Sequence, residues 1–94
     1  MQNTAIAHGV KATSAEFAGL SPIEAVRVYI RDEGNTGWTT PELAEELLKR
    51  GVHTESNDFV TSLYATLYTS MKKYKHFTRK GGKWFITKEG LSVA

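Results

Sequence analysis

Six cations fall within residues 72–87, KKYKHFTRKGGKWFIT: Lys72, Lys73, Lys75, Arg79, Lys80 and Lys83. Ammonium and guanidinium groups at this density hold phosphate oxygens. Nothing in the stretch is arranged to attack or deprotonate a substrate. Just upstream lie the hydroxyls of Thr61, Ser62, Thr66 and Thr69. Such groups bond phosphates or base edges, and Ala65 between them is small enough to meet a thymine methyl. Arg79 suits a narrow minor groove, where the negative potential is deepest. Two plainer roles compete for the same cations. One or two lysines at a helix end stabilise its dipole. Lysines on a strand edge block sheet-to-sheet pairing. Three lysines within residues 72–75 exceed the first role.

The distribution of charge points the same way. The chain has 94 residues and a net charge of +2. Residues 1–56 hold five Lys/Arg against eight Asp/Glu, whereas residues 57–94 hold seven against two. A cation-rich half beside an acidic one suggests a surface aimed at a polyanion rather than general stickiness.

Reactions are poorly served. There is no cysteine, which excludes disulfides and thiolate metal sites. His8, His53 and His76 are widely spaced and show no metal-ligand pattern. Glu42, Glu45, Glu46 and Glu55 read as a solvated acidic face. Gly81-Gly82 is read as a turn between strands, not as the phosphate-binding loop that opens a helix. No catalytic residue, metal, cofactor or small-molecule substrate is expected. No apolar run reaches the ~20 residues of a membrane span, and the first residues lack the pattern of a secretory signal. The expectation is an intracellular protein, cytoplasmic, nucleoid-associated or nuclear, with no membrane contact.

The elements that position the cations are legible from caps and periodicity. Residues 1–20 read as a flexible tail or linker, with Phe17 and Leu20 able to pack on the domain. Ser21-Pro22-Ile23-Glu24 is a capping box that opens a first helix, and Gly34 ends it. Trp38 follows a turn and is expected to form a one- or two-residue bridge. Thr39-Thr40-Pro41-Glu42 opens a second helix with apolar Leu43, Ala44, Leu47 and Leu48, and Gly51 closes it. Ser56 or Asn57 is expected to cap a third helix over 58–71. Its apolar stripe would be Phe59, Val60, Leu63, Tyr64, Leu67 and Met71. Two β-like runs then flank Gly81-Gly82, which fits a two-residue turn. That turn would set Lys80 opposite Lys83, Arg79 opposite Trp84 and Phe77 opposite Ile86. Trp38, Trp84, Phe77, Phe85 and Tyr64 are assigned to the core; Tyr68 and Tyr74 are expected to be partly exposed. Residues 88–94 are expected to fray.

The predicted fold is α+β: a winged helix-turn-helix with three helices and a C-terminal β-hairpin wing over 21–88. Residues 89–94 form a short tail. Three motifs carry a family resemblance. They are T-x-E-L-A-x-x-L-x-x-R-G-V over 40–52, S-L-Y-x-x-L over 62–67 and F-x-R-x-G-G-K-W over 77–84. Together they resemble the HARE-type helix-turn-helix domain, a winged-helix family. The resemblance implies association with DNA or chromatin, often as an accessory module beside an enzyme, and no catalysis within the domain.

The leading expectation is therefore a DNA-binding module that is regulatory or accessory to a larger DNA-acting protein. Residues 58–71 would lie in the major groove of double-stranded DNA, and the wing over 77–87 would grip the backbone. The candidate contacts are Thr61, Ser62, Thr66, Thr69, Lys72, Lys73, Lys75, Arg79, Lys80 and Lys83. The alternative is a protein-interaction winged helix that docks a partner through the acidic second helix, with no nucleic-acid contact.

Overall fold

Two capping boxes start the fold. A computed structural model describes residues 11–93. Helix α1 spans Pro22–Glu33 and α2 spans Thr40–Lys49. At α1 the Ser21 backbone N–H donates to Glu24 Oε1 at 2.9 Å, and the Glu24 N–H donates to Ser21 Oγ at 3.3 Å. The hydrogen bond from the Ser21 backbone holds the Glu24 carboxyl below its ordinary pKa. Thr39 and Glu42 repeat the arrangement at α2. Each box satisfies two donors that a helix start leaves without partners. Gly34 ends α1 with φ +118° and donates its N–H to the Ile30 carbonyl.

Helix α3, Phe59–Tyr74, differs from expectation at both ends. Its N-cap is Asp58, whose Oδ1 accepts from the Thr61 N–H at 3.2 Å. Ser56 and Asn57 lie outside, and the Ser56 hydroxyl accepts from the Asp58 N–H instead. A carboxylate at this position gains from the positive end of the helix dipole, which a hydroxyl or amide does not. The helix also runs one turn past Met71. Lys75 stops it in the left-handed region at φ +58°. That conformation is costly for a residue with a Cβ. It is held in place from the far side of the hairpin, where the Thr87 hydroxyl donates to the Lys75 carbonyl at 2.6 Å.

Strands β1, Phe77–Lys80, and β2, Lys83–Ile86, pair antiparallel in the expected register. Gly81 and Gly82 both have positive φ, +57° and +78°, as a primed two-residue turn requires. Trp38 forms the expected bridge, exchanging backbone hydrogen bonds with Trp84 at 3.1 and 2.8 Å. Two residues further along β2, the Asn35 side chain substitutes for a strand. Its Nδ2 donates to the Ile86 carbonyl and its Oδ1 accepts from the Ile86 N–H. Residues 84 and 86 thus turn their backbone groups away from β1. The Thr78–Phe85 and Lys80–Lys83 pairs are left to exchange the ladder bonds.

The core joins all three helices to the hairpin: Val26, Ile30, Leu43, Leu47, Leu63, Leu67 and Trp84 are fully buried. Tyr29 is buried with them, and loss of hydration, then the Glu46 charge, push its phenol up to about 12. Among the described residues, no helix is long and apolar enough to cross a membrane.

Residues 1–10 and Ala94 lie outside the described residues. From Thr13 on, the segment expected as tail is fastened to the domain. The Thr13 and Phe17 N–H groups donate to the Lys49 and Arg50 carbonyls, each at 2.7 Å. These bonds satisfy acceptors that the end of α2 would otherwise leave to solvent. Phe17 is buried at 1% exposure and Leu20 packs beside it. Gly51 permits the approach, since a Cβ there would lie 2.9 Å from the Ser14 carbonyl oxygen.

Arg50 ties this region together. Its guanidinium lies 4.8 Å from the Tyr29 ring centroid and 5.6 Å from that of Phe17. It also pairs with Glu16, Glu33 and Glu46. Arg50→Ala is expected to cost about 1–2 kcal/mol, because each ion pair and each cation–π contact contributes modestly. Arg50→Lys should recover little, since an ammonium lacks the planar fork that serves several partners. Urea unfolding midpoints of the two variants test this; full stability in Arg50→Ala would contradict it.

Residues 88–92 also differ from the frayed end expected of them. They form a short helix α4, Lys88–Ser92, capped by the Thr87 hydroxyl. Gly90 is buried where any Cβ would collide with the His76 carbonyl and Ile86. The glycine allows the helix to seat against the base of the hairpin.

Candidate nucleic-acid interface

Residues 59–88 contain seven cations and no carboxylate. Elsewhere among the described residues three basic groups find acidic partners, whereas Lys11 and Arg27 enter no ion pair. Arg31 pairs with Asp32, Lys49 with Glu45 and Glu46, and Arg50 with three glutamates. Among the described residues, none of Lys72, Lys73, Lys75, Arg79, Lys80, Lys83 and Lys88 enters an ion pair. All seven are exposed. The end of α3 and the hairpin therefore present uncompensated positive charge. The acidic side of α2 is by contrast largely engaged, with Glu42 in its capping box and Glu45 and Glu46 in ion pairs.

The fold sorts the expected contact residues into three places. The side of α3 beside the hairpin carries Tyr64, Tyr68 and Lys72, successive residues one turn apart. Arg79 leans over them from β1, its guanidinium 5.2 Å from the Tyr64 ring centroid and 5.6 Å from that of Trp84. Lys72 Nζ lies 5.7 Å from the Tyr68 centroid. This proximity of Arg79 to Trp84 follows from their direct opposition across the ladder.

Lys80 and Lys83 face each other across the turn and lie on the other side of the hairpin, with Thr78 and Phe85. Phe85 and the Lys83 stem press against Gly37, where a Cβ would come within 3.2 Å of both. A two-residue period makes this split unavoidable: Arg79 and Lys80 are neighbours and must point to opposite faces.

The third place is the side of α3 away from the hairpin. Thr66 and Thr69 line a cleft of about 350 Å³ together with Ile23, Ala65, Ser70 and Tyr74. Ser70 is buried there, and its hydroxyl has no hydrogen-bond partner among the described residues.

The hydroxyls differ in their freedom. Thr61 donates to Asp58 Oδ2 at 2.7 Å and Thr66 donates to the Ser62 carbonyl at 3.0 Å. Their protons are committed within the helix, although their lone pairs still accept. Ser62 and Thr69 are exposed and donate to nothing among the described residues. Lys73 is exposed beyond them. Lys75 serves as the C-cap, and its Nζ reaches the Lys72 carbonyl at 3.4 Å.

Two core assignments are corrected by the structure. Phe85 is only half-buried and stands outside the core cluster, because neighbouring strand residues alternate sides and Trp84 and Ile86 take the inner one. Tyr64 was expected in the core and is 37% exposed. Its ring meets the interior in a T-shaped contact with Trp84, centroids 5.8 Å apart. The buried stripe of α3 is narrower than the periodicity suggests, because Ser70 takes an interior position. The signal that could have located the aromatic side is the Tyr64, Tyr68, Lys72 spacing, which stacks three side chains in one column. Tyr68 and Tyr74 are exposed as expected, at 43% and 58%.

Comparisons with protein-family models, with curated proteins and with solved structures find no match. Four helices and a two-stranded antiparallel hairpin among the described residues make the chain α+β, with a layout compatible with a winged helix.

Proposed function

We propose that this chain is a DNA-binding winged helix-turn-helix module of the HARE type, accessory or regulatory to a larger DNA-acting protein. In this reading α3 enters the major groove and the hairpin is the wing. The observation that carries it is the contrast in charge pairing. Seven exposed cations over residues 59–88 have no carboxylate within their own segment and no ion pair. Seven unpaired cations gathered on one surface, in a chain that pairs Arg31, Lys49 and Arg50 with carboxylates, fit a polyanion. Lys72, Lys73 and Lys75 reach phosphates from the end of α3, and Lys80 and Lys83 from the wing tip. Ser62 and Thr69 supply free hydroxyls towards base edges or phosphates. With no cation in the first half of α3, affinity comes from the backbone and sequence preference is modest.

The test is a titration of short duplex DNA at several salt concentrations. With about five phosphate contacts, log K is expected to fall with log[salt] at a slope of about −4 to −5. A flat dependence, or no binding at low salt, would remove the reading.

A further inference from the structure

The column of side chains beside the wing contains two exposed aromatic rings, Tyr64 and Tyr68. Tyr64 and Tyr68 stack with centroids 6.2 Å apart and planes 24° from parallel. Lys72 lies over Tyr68 and Arg79 over Tyr64, so the order along the ladder is Lys72, Tyr68, Tyr64, Arg79. Trp84 fixes Tyr64 from below. Tyr68 is not among the residues packed on the core, and among the described residues its ring stacks on Tyr64 and meets the Lys72 ammonium.

We propose that this ladder stacks an unpaired base, so that the module prefers a junction between duplex and single-stranded DNA over continuous duplex. The inference rests on the DNA-binding reading above and adds the form of DNA. Bases within a duplex offer their edges in the grooves, and their faces are covered by neighbours. Exposed aromatic rings in a cationic setting are the usual means of holding unpaired bases, because every base has a face to stack.

Lys72 covers Tyr68 through a solvent-exposed cation–π contact, which is weaker than base–aromatic stacking. An incoming base therefore displaces the ammonium. Lys72 then reaches the phosphate of the same nucleotide, and the contact it loses is replaced by a charge-assisted hydrogen bond. Arg79 remains over Tyr64 and holds the inner ring in place. Neither α3 nor the hairpin carries a carboxylate that would repel the strand.

Three probes separate the outcomes: a blunt duplex, the same duplex with a short thymidine overhang, and the single strand alone, each measured by fluorescence anisotropy. The overhang duplex is expected to bind about tenfold tighter than the blunt one. Tyr68→Leu keeps an apolar helix former but removes the ring, and should bring that ratio close to one. Tyr68→Phe should preserve it. A ratio of one in the unaltered protein, with salt-dependent duplex binding intact, would overturn the junction preference alone. A ratio that survives Tyr68→Leu would overturn the assignment to the ladder. Failure to bind any of the three probes would overturn the DNA-binding reading itself.

Discussion

Trp84→Ala is expected to lower folding stability by about 3–5 kcal/mol, the usual cost of deleting a large buried aromatic. Trp84 is fully buried, and three parts of the fold meet on it. Its backbone forms both bonds of the bridge to Trp38. Its indole N–H donates to Thr40 Oγ1 at 2.9 Å, so it fastens β2 to the first turn of α2. Its ring supports Tyr64 and lies under Arg79. A small domain has about 5–15 kcal/mol in total, so this single truncation removes much of the margin. Trp84→Phe separates the contributions. It keeps most of the apolar volume but leaves the buried Thr40 hydroxyl without its donor, a loss of about 1–3 kcal/mol. Urea denaturation of both variants should rank Ala well below Phe. Equal midpoints would show that the hydrogen bond, not the volume, dominates.

The second large effect concerns binding. Replacing Lys72, Lys73, Lys80 and Lys83 together by Ala is expected to weaken duplex binding by about three orders of magnitude at physiological salt. Each phosphate contact releases roughly one counterion, which at that salt corresponds to about a fivefold change in affinity, and four contacts multiply. The salt slope should fall by about 3.6 in magnitude at the same time. All four residues are exposed, so the variant should fold. Removing Lys80 and Lys83 also relieves a like-charge pair across the turn. The control is Arg31→Ala with Lys49→Ala, two cations already paired with carboxylates. It should leave both affinity and slope unchanged. A quadruple variant that keeps the original slope would exclude the wing and the end of α3 as the contact surface.

Local chemistry made much of this architecture legible in the sequence. The two Ser/Thr-x-x-Glu boxes, the Gly34 stop and the Gly81-Gly82 turn each act within a few residues, so their types sufficed. The register of the hairpin followed from the turn alone. What escaped depends on tertiary contact. Phe17 is anchored by carbonyls at the end of α2, more than 30 residues away in sequence. Nothing in the composition of residues 11–20 announces those partners. The α4 helix needs Gly90 to pass the His76 carbonyl, a fit visible only once the hairpin is built. Lys75 ends α3 in a conformation that a lysine does not favour, so no stop was visible there. At the site, the cations were legible by type, and their division between two faces of the hairpin follows from the two-residue period of its strands. The exposure of Tyr64 was hidden because an apolar period assigns aromatics to the interior by default.

Mechanically, the hairpin is a cantilever with a clamped root. Strand β2 is held along both edges, by β1 on one side and by Trp38 and the Asn35 side chain on the other. The clamp covers Trp84 and Ile86 and ends before Lys83. Beyond the clamp, the tip is held by the Lys80–Lys83 ladder pair and by the Lys83 stem against Gly37, while the exposed ends of both lysine side chains stay unpaired among the described residues. Arg79 therefore keeps a set position over the tyrosines, while the two tip lysines can follow a backbone of variable groove width.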